Sequence, residues 1–148
     1  MISLFGPRTT ALFYNGPIDK VQELTLIDDK WILSHEHLVI KGKTNIYAPG
    51  NLRASEDNEV YKKIMTRWLD SGYTLRYSGG FAPDAAQIML KGHGIFSNIA
   101  SNKHKAKLRV LYEVGPIAFL IEKAGGKTIT DKRVSLMEVE IKGYDDRV

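Results

Sequence analysis

From Asn58 to Gly126 the hydrophobic period of the chain switches repeatedly, and this alternation restricts the fold more than any other feature. Val60, Tyr61, Ile64, Met65, Trp68 and Leu69 recur at three- and four-residue steps, making one apolar face of a helix over residues 58–70. Asp57 is placed to cap its start and Gly72 its end. Residues 73–77 read as a strand. Pro83, at a first helical position, opens a second helix over 84–91, which Gly92 and Gly94 stop; 95–99 is strand-like again. A third helix runs from about Val110 to Ala124, where Pro116 kinks it or starts a fresh turn after Gly115. Segments alternating in this way need helices laid over a sheet. The fold class is therefore α/β, with three layers and helices on both sides of a mixed sheet.

The first part of the chain reads as an antiparallel meander. Residues 8–14 form a strand that runs into Asn15-Gly16, the strongest short hairpin signal. In 21–27, Leu24 and Leu26 alternate with Glu23 and Thr25; Asp28-Asp29 breaks the run, and 31–40 is strand-like once more. Residues 42–55 are loop-like around Pro49-Gly50-Asn51, and 127–130 and 134–141 are the last, weak strand candidates. No repeat or linker divides the chain, so residues 1–148 form a single domain.

Composition excludes several chemistries. With no cysteine there is no disulfide, thiolate metal site or cysteine nucleophile. No run approaches the roughly 18 apolar residues of a membrane span, so no membrane partner is expected. The first residues carry neither a secretory nor a transit pattern. A cytoplasmic location is expected, or the plastid stroma if a presequence is missing. The net charge of +4 suits anionic partners.

Four Lys/Arg and one His fall within 103–109, followed by Glu113 and an apolar helix. If extended, the run points Lys103, Lys105, Lys107 and Arg109 one way, a stripe that reads as a phosphate site or as a solvated loop. Glu113, near an apolar face, must be paired or metal-bound; an ion pair with Arg109, four residues back, is the simpler alternative. Arg76-Tyr77-Ser78-Gly79-Gly80 places a guanidinium and a phenol ahead of an open backbone, as an anion site or as a strand end and turn. Three further patterns carry no site: His35-Glu36-His37 lacks a third ligand, Gly92-His93-Gly94 lacks the third glycine of a dinucleotide loop, and Pro17-Ile18-Asp19-Lys20 lacks the flanks of an acidic metal motif.

Taken together, FGPRTT (5–10), GNLR (50–53), YTLRYSGGFAPD (73–84), GIFSN (94–98), KAKLRVLYEVGP (105–116) and EKAGG (122–126) resemble the C-terminal half of the fructose-1,6-bisphosphatase and sedoheptulose-1,7-bisphosphatase family. The resemblance spans nearly the whole chain. It leans to the sedoheptulose branch, because Asn98 stands where the fructose enzymes carry a tyrosine and Asn51-Leu52-Arg53 where they carry an Asn-Glu-Gly segment.

The resemblance implies Mg2+-dependent hydrolysis of the 1-phosphate of a sugar bisphosphate by a homo-oligomer, a dimer or tetramer. By position, Glu113 would be a metal ligand, Lys107 would reach the sugar and the scissile phosphate, and Arg109 would support the acidic metal cluster. Asn51, Tyr77 and Asn98 would line the pocket of the non-reacting phosphate. Arg76 would extend into a neighbouring subunit's site, and the Gly79-Gly80-Phe81 backbone would lie along the sugar. The family's acidic motif and its final strand and helix are absent from these residues. The catalytic acids are thus expected in an N-terminal half, and the chain alone is expected to be inactive. Two readings of other classes compete: a nucleic-acid-binding module using the basic stripe, with no nucleic-acid partner expected on the leading reading, and a non-catalytic regulatory fragment.

Overall fold

The computed structural model describes residues Met1–Val148. The α/β architecture is present, and its strands divide between two sheets. The first is antiparallel, with strands β1 (Ile2–Leu4), β2 (Thr10–Asn15), β3 (Lys20–Ile27) and β4 (Lys30–His35) in that order. The second is parallel, with β5 (Ile46–Pro49) between β6 (Thr74–Leu75) and β7 (Ile95–Ser97). Helices α1 (Glu59–Asp70), α2 (Phe81–Lys91) and α3 (Gly115–Lys123) complete the layers.

The meander forms as the turn residues dictate, with two differences. Between β2 and β3 the Asn-Gly signal yields a longer 3-10 turn over Gly16–Ile18, because Pro17 cannot enter a ladder and Asp19 takes the left-handed conformation at φ 50. Asp28 and Asp29, at φ 47 and 60, make the two-residue turn into β4. β4 stops at His35 rather than residue 40. The register slips between Glu23 and Leu24, and Leu38 keeps one bond, its N–H donating to the Val21 carbonyl at 2.8 Å.

The main core lies between the antiparallel sheet and helices α2 and α3. Leu12 and Val21 from the sheet meet Ala85, Ala86 and Met89 of α2 and Ile117 and Leu120 of α3. Each large fully buried side chain here contributes about 1.5–3 kcal/mol of transfer free energy. A smaller core joins Tyr47 of β5 to Tyr61 and Met65 of α1, with Trp68 and Tyr73 against it. α2 also reaches the parallel sheet, the Phe81 ring lying 4.6 Å from that of Phe96. That contact joins the edge of the main core to the parallel sheet.

Local boundaries correct several expectations. The N-cap of α1 is Asn58, whose Oδ1 accepts the Tyr61 N–H at 3.0 Å, while Asp57 accepts the Lys103 N–H instead. α2 opens at Phe81, which leaves Pro83 third in the helix. Val110–Val114 is a π-helical turn and the α-helical bonding starts at Gly115, because Pro116 offers no N–H. Residues 127–130 and 134–141 form no strand; the Thr130 N–H bonds the Val134 carbonyl within a turn, and Leu136–Glu138 is 3-10. No helix is long and apolar enough to cross a membrane.

Candidate functional site

All three parallel strands end on one edge, and most of the expected site residues follow directly from those ends. Gly50 and Asn51 follow β5, Arg76 and Tyr77 follow β6, and Asn98 follows β7. The carboxyl edge of a parallel sheet is where side chains and open backbone converge on a ligand. The Gly50 N–H donates to the Ser97 carbonyl at 2.6 Å, and a Cβ at Gly50 would lie 2.8 Å from the Phe96 ring. Glycine alone allows that approach without displacement. The Tyr77 hydroxyl donates to the Gly50 carbonyl at 3.2 Å, and the Arg76 N–H to that of Tyr47 at 2.9 Å, leaving the Arg76 guanidinium exposed. The chain then turns through Gly79, at φ +91, into α2.

Asn51 takes a different part from the one expected. It is 8% exposed, and its amide donates to the carbonyls of Ile99 at 2.8 Å and His104 at 3.2 Å. With both donor hydrogens engaged it clamps the loop after β7 and has none left for a phosphate oxygen. Asn98 donates to the Val148 carbonyl at 3.2 Å. Beneath the edge, the buried Tyr61 phenol meets the Ser97 hydroxyl at 2.9 Å, and burial raises its pKa above the ordinary value. Helical periodicity marks Tyr61 as core and nothing more.

The basic run divides in two. Lys103, Lys105 and Lys107 are exposed at alternate positions, as the extended reading requires, while Arg109 turns inward. Glu56 gathers the first cations: Lys103 Nζ lies 2.5 Å and His104 Nε2 2.8 Å from its two oxygens. The hydrogen bond from His104, then that from Lys103, lowers the Glu56 pKa, and Glu56 in turn raises that of Lys103. Lys105 and Lys107 take part in no ion pair. Sequence spacing gave no sign that Glu56 would anchor a run almost fifty residues further on.

Arg109 lies 3.8 Å from both Glu113 and Asp145, within ion-pair range, and its guanidinium stands 5.4 Å from the centre of the Tyr112 ring. Its Nε is enclosed without a hydrogen bond, since 3.8 Å to Asp145 is too long for one. Glu113 projects from the π turn, and its Oε2 accepts the Arg109 N–H at 2.6 Å. Its other oxygen makes no hydrogen bond, so Glu113 fits a divalent cation as a single ligand. No group of three His, Cys, Asp or Glu side chains able to hold a metal ion occurs in the chain. His35 is accounted for elsewhere, its Nδ1 lying 2.6 Å from the fully buried Glu23, which also receives Arg8.

Residues 40–148 match the family profile described as fructose-1-6-bisphosphatase, C-terminal domain. The chain belongs to the fructose-1,6-bisphosphatase family. A chloroplastic sedoheptulose-1,7-bisphosphatase of Spinacia oleracea is 43% identical over 148 residues, covering 99% of this chain and 38% of that protein. A class 1 fructose-1,6-bisphosphatase of Geotalea uraniireducens is 39% identical, covering 99% of this chain and 46% of that one. Among solved structures, a Toxoplasma gondii protein assigned as a sedoheptulose-1,7 bisphosphatase superposes with a TM-score of 0.89 at 39% identity, covering 98% of this chain and 49% of that one. The chain thus spans less than half the length of these bisphosphatase relatives. The α/β fold follows the family's C-terminal part.

Proposed function

We propose that the chain is the substrate-binding half of a magnesium-dependent sugar bisphosphatase acting on the 1-phosphate of sedoheptulose 1,7-bisphosphate, with fructose 1,6-bisphosphate as the alternative substrate. The observation that carries this reading is the convergence of Gly50, Tyr77 and Asn98 at the carboxyl edge of the parallel sheet. The sedoheptulose branch is favoured by the identity of 43% to the spinach protein against 39% to the Geotalea one.

In this reading Tyr77 and Asn98 border the non-reacting phosphate, Asn51 acts by fixing the loop behind them, and the Gly79-Gly80-Phe81 backbone lies along the sugar. Lys107, exposed and free of an ion pair, provides a charge-assisted contact to the scissile phosphate. Arg109 braces Glu113 through its backbone N–H. Mg2+ when bound supplies charge neutralisation at the phosphate and an activated water. Glu113 offers one oxygen to it, and the remaining carboxylates come from outside these residues. Arg76 is exposed, and in this reading it extends into a neighbouring subunit's site in a dimer or tetramer. The cytoplasm, or the plastid stroma behind a presequence, is the setting.

The nucleic-acid reading loses ground because Lys103, His104 and Arg109 are already matched by Glu56, Glu113 and Asp145. The test is complementation. The chain is mixed with a separately expressed N-terminal half of a sedoheptulose bisphosphatase relative, and Mg2+-dependent phosphate release from each bisphosphate is measured. Release by the mixture but not by either piece is expected. An inactive mixture whose pieces associate would leave the regulatory reading in its place.

A further inference from the structure

Asp84 is the carboxylate nearest the start of α2 and takes no part in the roles above. It is 4% exposed, its Oδ1 accepts the Ser78 N–H at 2.9 Å, and its Oδ2 is enclosed without a donor. A buried carboxylate oxygen left unmatched costs free energy, so a chain keeps such a group where something else depends on it. What depends on it here is the turn from β6 into α2. Gly79 sits at φ +91, and a Cβ at Gly80 would lie 2.9 Å from the Pro83 ring, so the turn is built from residues without side chains to anchor it. Ser78 holds Gly80 only through long bonds of 3.3 and 3.4 Å. The backbone N–H groups of Gly79, Phe81 and Ala82 have no carbonyl partner, as expected for a turn entering a helix.

We infer that Asp84 is a positioning residue for sugar-phosphate binding: through Ser78 it holds the Gly79-Gly80 turn in the one shape that presents its open backbone donors together. This role rests on the reading of the site given above. Asp84 touches no ligand in it. Its effect passes through the turn, so it acts on the sugar and not on the scissile phosphate contacted by Lys107 or the non-reacting phosphate bordered by Tyr77.

The experiment titrates the 148-residue chain with sedoheptulose 7-phosphate and, separately, with inorganic phosphate, following backbone amide shifts by NMR. Asp84→Ala removes the acceptor and should weaken sugar-phosphate binding about tenfold while inorganic phosphate stays within about twofold. Asp84→Asn keeps an oxygen for the Ser78 N–H and should restore sugar-phosphate binding to the wild-type level. If Asp84→Ala does not fold, Asp84→Glu, which displaces the carboxylate by one methylene, takes its place with the same expected loss. Equal sugar-phosphate affinity in wild type and Asp84→Ala would overturn the inference, as would a matching loss for inorganic phosphate. A wild-type chain that binds no sugar phosphate would overturn the site reading, and the role of Asp84 with it.

Discussion

Lys107 and Glu56 show how differently neighbouring charges are used. Lys107 has no carboxylate partner and stands free for a ligand, whereas Glu56 holds two cations of the same run. In the complemented enzyme, Lys107→Ala should raise the transition-state barrier by roughly 2–4 kcal/mol, as removal of a preorganised donor does. A loss in kcat/KM below about tenfold would take Lys107 out of the site. The Glu56 clip should also depend on pH. Its folded pKa lies below the ordinary 4.5, so its contribution is fully present above that value and is lost as pH falls through the lowered one. The protection of the Ser101 and His104 amides, measured relative to their intrinsic exchange rates at each pH, should therefore fall under acid conditions, and Glu56→Gln should remove that dependence. At this scale spacing predicted alternate exposure along the basic run, and the exposure of Lys103, Lys105 and Lys107 agrees with it, whereas Arg109 departs from it. It could not reveal that the Asn51 donors are spent on Ile99 and His104, because those partners lie about fifty residues away.

The helices were readable because an apolar face repeats over several turns; of the short strands, β6 and β7 were readable within 73–77 and 95–99, and β1 and β5 were not. β1 and β5 have three and four residues, too few for alternation to register, and β5 ends in Pro49-Gly50, which reads as a turn. The cap of α1 differs by one residue from the expected one, since Asn58 and Asp57 are both good caps and only the demand of Lys103 on Asp57 separates them. Asn58→Ala should lower the stability of the chain by about 1 kcal/mol, measured by urea unfolding, whereas a neutral result would assign the cap elsewhere. Leu120 on α3 is 1% exposed in the main core, and Leu120→Ala should cost about 2–5 kcal/mol in the same measurement. The π turn places Glu113 one step off a regular helix, which lets its carboxylate reach back to the Arg109 N–H.

Over the whole molecule, alternation of helix and strand was enough to specify layers, and not enough to show that the strands form one antiparallel and one parallel sheet. Pairing partners far apart in the chain decide that, and local periodicity does not record them. The division matters, because only the parallel sheet has an edge at which three strand ends meet. The isolated 148-residue chain should release no phosphate from a bisphosphate in the presence of Mg2+, since it carries no three-residue metal cluster; measurable release would show that it needs no second half.

The middle strand of the parallel sheet, β5, precedes both of its neighbours in the chain, and Asn51 behind it closes on a carbonyl at His104. Contacts across so many residues carry a large loop-closure cost before they return any stabilisation, so they form late in folding. The antiparallel meander, whose partners are local, can form first. During refolding, the Trp68 fluorescence beside Tyr47 and Tyr73 should then recover in a slower phase than the far-ultraviolet signal of the meander. The carboxyl edge of the parallel sheet would be the last region of the chain to mature.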